Sequence, residues 1–379
     1  MYRELVGIVK KLIQIDSQNP PGREKEIALF IKYFLKDIGV DSKIFEFNKN
    51  RYNLVCSLPS YRGKKRIILT PHLDTVPVSG KWRFPPFKGK VFKGKIYGRG
   101  ATDCKGNVGV VMYLIKKLKE EKITFNNLDL IFAFTADEET GSRWGIKPLL
   151  KYLKKIDYGI VLDSDDFDII VAQKGLLHLK IEVFGKEAHG ATPHRGINAI
   201  EKSIYILRDL LKEKFTENIH PLLKQPTINI GRFWGGEKVN IVAGYAFFEI
   251  DIRYIPSIDK ETIINKIEKI LKKYTNKYKI NILAHQEPIE IDRDNLLISI
   301  LKQTLKSYNI KPKLVPSFGA TVITFLKDKG IENFAFGFGS RGCAHIKDEY
   351  VKIDNLYKGY NVLKSFLINL DSQIAKDYL

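Results

Sequence analysis

A chain of 379 residues, 44% of them hydrophobic, is long enough for two domains with cores of their own, and no apolar run approaches the roughly 20 residues that span a bilayer. The formal charge of +20 raises the question of nucleic acid. The lysines, however, are interleaved with acids, as in Lys116 Lys117 Leu118 Lys119 Glu120 Glu121, and no nucleic-acid-binding module is recognisable, so a lysine-rich surface is the simpler reading and neither nucleic acid nor membrane is expected as a partner. The three cysteines, Cys56, Cys104 and Cys343, are widely spaced without a paired motif, which fits a reducing compartment. The N-terminus lacks the layout of a secretion signal, and the expected location is the cytoplasm.

Met1 Tyr2 Arg3 Glu4 opens an amphipathic helix with Leu5, Ile8 or Val9, and Leu12 on one side. Asn19 Pro20 Pro21 Gly22 breaks the pattern, and a second helix follows with Ile27, Ile31, Phe34 and Ile38 on one stripe, stopped by Gly39. Extended stretches at 43–47 and 53–58 precede Ile67 Ile68 Leu69, a buried strand that delivers Pro71 His72 Leu73 Asp74 at its C-terminal end. Residues two apart on an extended chain share a face. A histidine that binds metal through one ring nitrogen usually gives its other N–H to a carboxylate, which makes Asp74 the expected orienting partner of His72. Trp82 Arg83 Phe84 Pro85 Pro86 Phe87 reads as a rigid loop packed on the body. The glycine-rich run Gly98 Arg99 Gly100 Ala101 Thr102 Asp103 Cys104 Lys105 Gly106 then leads into a helix at 108–118.

A buried strand at 128–135 ends in Asp137 Glu138 Glu139 Thr140 Gly141, and another at 158–162 ends in Asp163. From Leu176 the character changes: a half-exposed strand at 177–184, then Gly185 Lys186 Glu187 Ala188 His189 Gly190, a helix at 198–212, strands at 227–232 and 245–254, a helix at 260–274 and a strand at 279–284. Strand, helix, two strands, helix and strand make a compact α+β unit of the ferredoxin-like kind. The predicted fold class is therefore α/β, with a mixed-sheet catalytic domain at 1–175 and 287–379 and an inserted α+β domain at 176–286. The first domain resumes with a helix at 295–308, the run Phe318 Gly319 Ala320 Thr321 before another helix, and a strand at 333–338 that leads to Cys343 Ala344 His345. Cys343 reads as a small buried filler.

Ligands of open α/β sheets sit beyond the carboxyl ends of the strands. Four strand ends here carry His72 with Asp74, Glu138 with Glu139, Asp163, and His345. Any one acidic pair is more simply a solvated loop, and it is the convergence that argues for a metal site. Histidines and carboxylates without a convincing cysteine ligand suit zinc, cobalt or manganese. Two metals need a bridge, for which Asp103 is the candidate, and one of the adjacent Glu138 and Glu139 can bind metal while the other transfers a proton.

These motifs resemble the dinuclear zinc amidohydrolase and metallopeptidase family that includes acetylornithine deacetylase, succinyl-diaminopimelate desuccinylase, aminoacylase and glutamate carboxypeptidase. The resemblance spans His72 and Asp74, Tyr97 Gly98 Arg99 Gly100 with Asp103, Asp137 Glu138 Glu139, Ala188 His189 Gly190, and His345 before Asp348 Glu349 Tyr350. It implies two Zn²⁺, replaceable by Co²⁺ or Mn²⁺. His72 and Asp163 then hold one metal, Glu139 and His345 the other, and Asp103 both, with Glu138 as general base. It further implies a cis peptide bond between Asp103 and Cys104, and an inserted domain that closes over substrate and forms a homodimer. His189 then stabilises the oxyanion in the neighbouring subunit's site, Asn240 and Arg253 hold the substrate carboxylate, and Gly319 admits the substrate backbone. Where the desuccinylases carry an Asp and an Arg, this chain has Val322 and Thr324, which argues against a succinyl substrate. The expected activity is cleavage of the amide of an N-acyl amino acid, of the acetylornithine or acetyl-lysine type. A carboxypeptidase or dipeptidase is the alternative, and a non-catalytic basic binding protein is a remote one.

Overall fold

The computed structural model describes residues 2–317 and 319–377; Met1 and Phe318, which enter the sequence reading, lie outside the described residues. The chain divides into two compact units: Met1–Val171 with Ile291–Val315 and Thr321–Leu379, and Ala172–Glu290 with Pro316–Ala320. Among the described residues no helix is long and apolar enough to cross a membrane.

The first unit is built on a mixed sheet whose strands run in the order Ser42–Glu46, Tyr52–Leu58, Leu128–Phe134, Lys65–Thr70, Tyr158–Leu162 and Glu332–Phe336. The last four are mutually parallel, and the first two join them antiparallel. Parallel strands are covered on both faces, which is why they read as unbroken apolar runs. Ile67, Ile68, Leu69, Phe132, Phe134, Ile160, Val161, Phe334 and Phe336 are all fully buried. Four neighbouring strands thus end on one side of the sheet, and the chain continues from them into His72, Glu138 and Glu139, Asp163, and the loop of His345. A further strand, Asp168–Gln173, pairs antiparallel with Glu332–Phe336 and has no counterpart among the expected elements.

Helices pack onto this sheet by close approach. Gly109 on Gly106–Glu120 faces the helix Tyr2–Gln14 so tightly that a Cβ there would lie 2.4 Å from Val9 Cγ2. The terminal helix Ile353–Asp377 buries Leu363, Phe366 and Leu367, and its Asp371 accepts the N–H groups of Asn127 and Leu128 at 2.7 and 2.8 Å, fixing the start of a central strand. The expected loop around Phe84 is tied down: its ring meets Tyr97 edge-on at 5.1 Å, and the Arg83 N–H reaches Asp348 at 2.7 Å.

The second unit is a four-stranded antiparallel sheet in the order Thr227–Gly235, Tyr245–Tyr254, Gly175–Phe184, Tyr278–Gln286. Burial alternates strictly along Gly175–Phe184 and Tyr245–Tyr254, as expected when one face packs and the other is open. Leu177, Leu179, Ile181, Phe248, Ile250 and Ile252 share a core with Ile206, Leu210, Ile263 and Ile267 of the helices Ala199–Leu210 and Lys260–Tyr274. Both helices start on side-chain caps, Asn198 accepting from Ile200 and Glu201, and Asp259 from Thr262.

Candidate metal centre

The carboxylate of Asp103 is divided between two imidazoles. Its Oδ1 lies 2.8 Å from His72 Nε2, and its Oδ2 lies 2.9 Å from His345 Nε2. The same His345 nitrogen is 3.0 Å from Glu139 Oε2. Ligand atoms of His72, Asp103 and Glu139, and of His72, Glu138 and Asp163, form two overlapping triads within 4.8 Å. Every residue nominated from the strand ends is therefore in one cluster. Glu138, which the sequence reading keeps free of metal, belongs to the second triad.

Asp103 is held by backbone tethers. Glu349 accepts the N–H groups of Gly100, Thr102 and Asp103 at 2.9, 2.9 and 3.1 Å and pairs with Arg99 at 2.8 Å. The peptide bond between Asp103 and Cys104 is cis. The buried Cys104 thiol faces the His72 backbone, 3.2 Å from both its N and its O, so this cysteine has a packing role beside the candidate ligands. Cys343 is buried as well, in keeping with its reading as a filler.

The turn that presents Glu138 and Glu139 depends on Asp137, which adopts φ +64°, a conformation Asp tolerates better than most residues. Asp74 acts on this turn more than on the imidazole: its carboxylate accepts the Glu138 and Glu139 N–H groups at 3.0 Å each and the Asn19 amide at 2.8 Å. Sequence placed that carboxylate on His72. The atom nearest His72 Nδ1 is instead the Asp74 backbone carbonyl at 3.0 Å, with the carboxylate at 3.5 Å, because three N–H donors draw it away. Behind Asp74 stands a buried network that sequence reasoning missed. Asn19 also bonds Asp137 and Thr140, Arg51 donates to the Asn19 side-chain oxygen Oδ1 at 2.7 Å, and Arg51 pairs with buried Glu24 at 2.5 Å. The only local signal was the turn-forming run Asn19 Pro20 Pro21 Gly22, which reads as a helix breaker.

The electrostatics of the cluster test whether a metal fits. Burial first, and the charge of Asp163 next, push the Glu138 carboxyl well above its usual range. Burial and the charge of Asp103 push Asp163 up to about 7. Bonds to Asp103 and Glu139 push the His345 imidazole up to about 10. Burial would raise Asp103, and the bonds from His345 and His72 overcome it and hold that carboxyl low. Acids crowded out of water repel one another unless cations stand among them. A set of imidazole nitrogens and carboxylate oxygens at this density fits divalent zinc, cobalt or manganese.

The other nominated residues lie in the second unit. His189 and Asn240 are exposed neighbours, tied by the bridge between His189 and Ile241 and by the Gly190 N–H to Asn240 O bond at 2.7 Å. Arg253 is half-buried on Tyr245–Tyr254 and gives two hydrogen bonds to Asp251, at 2.8 and 3.1 Å, so it sits in an ion pair. Gly319 has room for a side chain, since an added Cβ would meet only Ser317 Oγ at 3.9 Å. In the first unit, Val322 and Thr324 are buried.

Comparison with known proteins places this geometry in a family. The family description Peptidase family M20/M25/M40 matches residues 68–369. An uncharacterized metallohydrolase of Methanocaldococcus jannaschii is 31% identical, covering 97% of this chain and 99% of that one. The succinyl-diaminopimelate desuccinylase of Buchnera aphidicola is 29% identical over 98% of this chain and 100% of its own. Among solved structures, a tripeptidase from Staphylococcus aureus superposes with a TM-score of 0.81 at 22% identity, covering 98% of this chain and 99% of that one. The chain belongs to the M20 family of metallohydrolases and is a hydrolytic enzyme.

Proposed function

We propose that the protein is a cytoplasmic, zinc-dependent homodimeric hydrolase that cleaves the amide bond of an N-acyl amino acid, with the acetylornithine and acetyl-lysine deacetylases as the nearest pattern. The observation that carries this reading is the division of the Asp103 oxygens between His72 and His345. His72 and Asp163 would hold one cation, Glu139 and His345 the other, and Asp103 both. Two cations held there would supply Lewis acidity toward a scissile carbonyl and a water.

Glu138 takes the proton of that water. Its burial raises its affinity for the proton, which suits a group that must hold it and then release it to the leaving nitrogen. Asp74 fixes the Glu138 backbone and so aims the base. His189 accepts the Ala191 N–H on Nδ1 at 3.1 Å, so the neutral ring carries its proton on Nε2 and can donate to a developing oxyanion in the partner copy's site. Asn240 and Arg253 hold the substrate's carboxylate, the Arg fork matching that planar anion. Gly319 leaves space for the substrate backbone. The second unit thereby serves as lid and dimerisation domain. Val322 and Thr324 are buried where the desuccinylases carry polar residues, which argues against a succinyl group.

A peptidase is the second reading, favoured by the fold shared with the tripeptidase. Hydrolysis of a panel of N-acetyl amino acids and dipeptides by zinc- and cobalt-loaded enzyme separates the two. Faster turnover of the acetylated substrates is expected; preference for the dipeptides selects the peptidase reading, and no hydrolysis of either by metal-loaded protein rejects both.

A further inference from the structure

A line of polar side chains runs from Glu24 to the turn that presents Glu138 and Glu139. Arg51 Nη1 donates to Glu24 Oε1 at 2.5 Å, and Arg51 Nη2 donates to Asn19 Oδ1 at 2.7 Å. Asn19 Nδ2 donates to Asp74 Oδ2 at 2.8 Å, and the Asp74 carboxylate accepts both glutamate N–H groups at 3.0 Å each. Glu24 and Asp74 are fully buried, Asn19 is 1% exposed and the Arg51 side chain 11%, so water competes little for these bonds.

The two ends of the Asn19 amide are nearly equal in size and opposite in hydrogen-bonding sense, so only its partners fix which way it points. Its Nδ2 faces Asp74, Asp137 at 3.3 Å and Thr140 at 3.0 Å, all through oxygen atoms. The reverse direction would set an amide oxygen against two carboxylates. Arg51 enforces the observed direction from the other side, because a guanidinium only donates. Its fork is itself held in place: one prong is fixed on Glu24, and Gly22, at φ +93°, passes so close that an added Cβ would lie 2.2 Å from Arg51 Cζ. Arg51 Nη2 also stands 3.5 Å from Asp137 Oδ1, on the same turn. We propose that Arg51 is a positioning residue for the Glu138 turn: by fixing the direction of the Asn19 amide it sets the Asp74 carboxylate on the N–H groups of Glu138 and Glu139. A counter-ion for Glu24 could be any cation, whereas this role needs the planar fork. That the turn serves catalysis rests on the hydrolase reading above; the hold on the turn rests on the hydrogen bonds alone.

Hydrogen–deuterium exchange of the full-length, zinc-loaded protein tests the hold directly, in wild type, Arg51→Met and Arg51→Lys. The lysine variant keeps a cation beside buried Glu24, so it carries the test even if Arg51→Met does not fold. Exchange of the backbone amides at 138–139 is expected to speed up about ten-fold or more in Arg51→Lys, with the rest of the first unit little changed. Unchanged exchange at 138–139 overturns the proposal, and so does faster exchange throughout the first unit, which would make Arg51 a general stabiliser. A second arm uses whichever substrate of the panel above wild type hydrolyses fastest. Arg51→Lys is expected to lower kcat about ten-fold while KM and metal content hold, and to add less than about two-fold to the loss in Glu138→Gln, since both changes act on the same group. Losses that multiply in full, or a change confined to KM, overturn the link to the base. No hydrolysis by metal-loaded wild type, with the exchange result standing, rejects the hydrolase reading and leaves Arg51 holding the turn.

Discussion

Glu349 holds Asp103 by its backbone, one carboxylate oxygen accepting the N–H groups of Thr102 and Asp103 while the other takes Gly100 N–H and the Arg99 guanidinium. The side chain is 1% exposed, so water does not substitute for these donors. Because Glu349 follows His345 along the same loop, it also couples the two segments that meet at the metal centre. Glu349→Gln preserves shape and removes one acceptor oxygen. It is expected to weaken metal binding by about 10–100-fold, the usual cost of losing an outer support of a metal site. Competition titration with a chromophoric chelator measures this; unchanged affinity would mean that the loop needs no such tether.

Glu138→Gln is expected to keep its metal content while turnover falls by about 10²–10⁴-fold, the range attributed to general acid–base catalysis. Glu138 also lies in a triad with His72 and Asp163. A large loss of bound metal, by elemental analysis of the purified variant, would therefore reassign it from base to ligand.

Asn19 reaches Asp74, Asp137 and Thr140 from one buried amide. Asn19→Ala leaves those acceptors without their donor and is expected to cost about 1–3 kcal/mol in urea unfolding, with a lower kcat. Asn19→Asp should be worse, since it sets a third carboxylate beside Asp74 and Asp137. Equal stability of the Ala and Asp variants would argue against the network.

Phe248 is fully buried in the core of the second unit, between the sheet and its two helices. Phe248→Ala is expected to destabilise by about 3–5 kcal/mol, read as a fall in the midpoint of chemical unfolding. A loss below about 1 kcal/mol would indicate a core able to repack around the gap.

Much of the fold was legible where local patterns were complete. The strand Tyr245–Tyr254 and the helix Lys260–Tyr274 have the bounds read from sequence; in the structure the strand alternates strictly in burial and the helix starts on its Asp259 cap. The strand Asp168–Gln173 escaped because a short, fully buried run carries no period of its own and is defined by pairing with distant Ala335 and Phe336. Residues 316–320 were assigned to the first domain, yet Pro316–Ala320 clusters with the second unit, where the Lys174 N–H meets Ser317 O at 3.4 Å. No local pattern announces such a long-range contact.

The candidate cluster was legible because parallel strands deliver their C-terminal residues to one edge, so strand ends rich in His and acid had to meet. Its supports were less so. The bond from Asn19 to Asp74 spans 55 positions, and Asp74 has the expected neighbour while spending its carboxylate on the turn at Glu138. Sequence spacing fixes which face a side chain occupies. It does not fix which of several donors on that face captures the oxygen.

Anomalous scattering from crystals grown with zinc tests the dinuclear centre most directly. Two peaks about 3.5–4 Å apart are expected, one beside His72 and Asp163, the other beside Glu139 and His345, and both within bonding distance of Asp103. A lone peak that does not touch Asp103, or zinc bound only elsewhere on the chain, would contradict it.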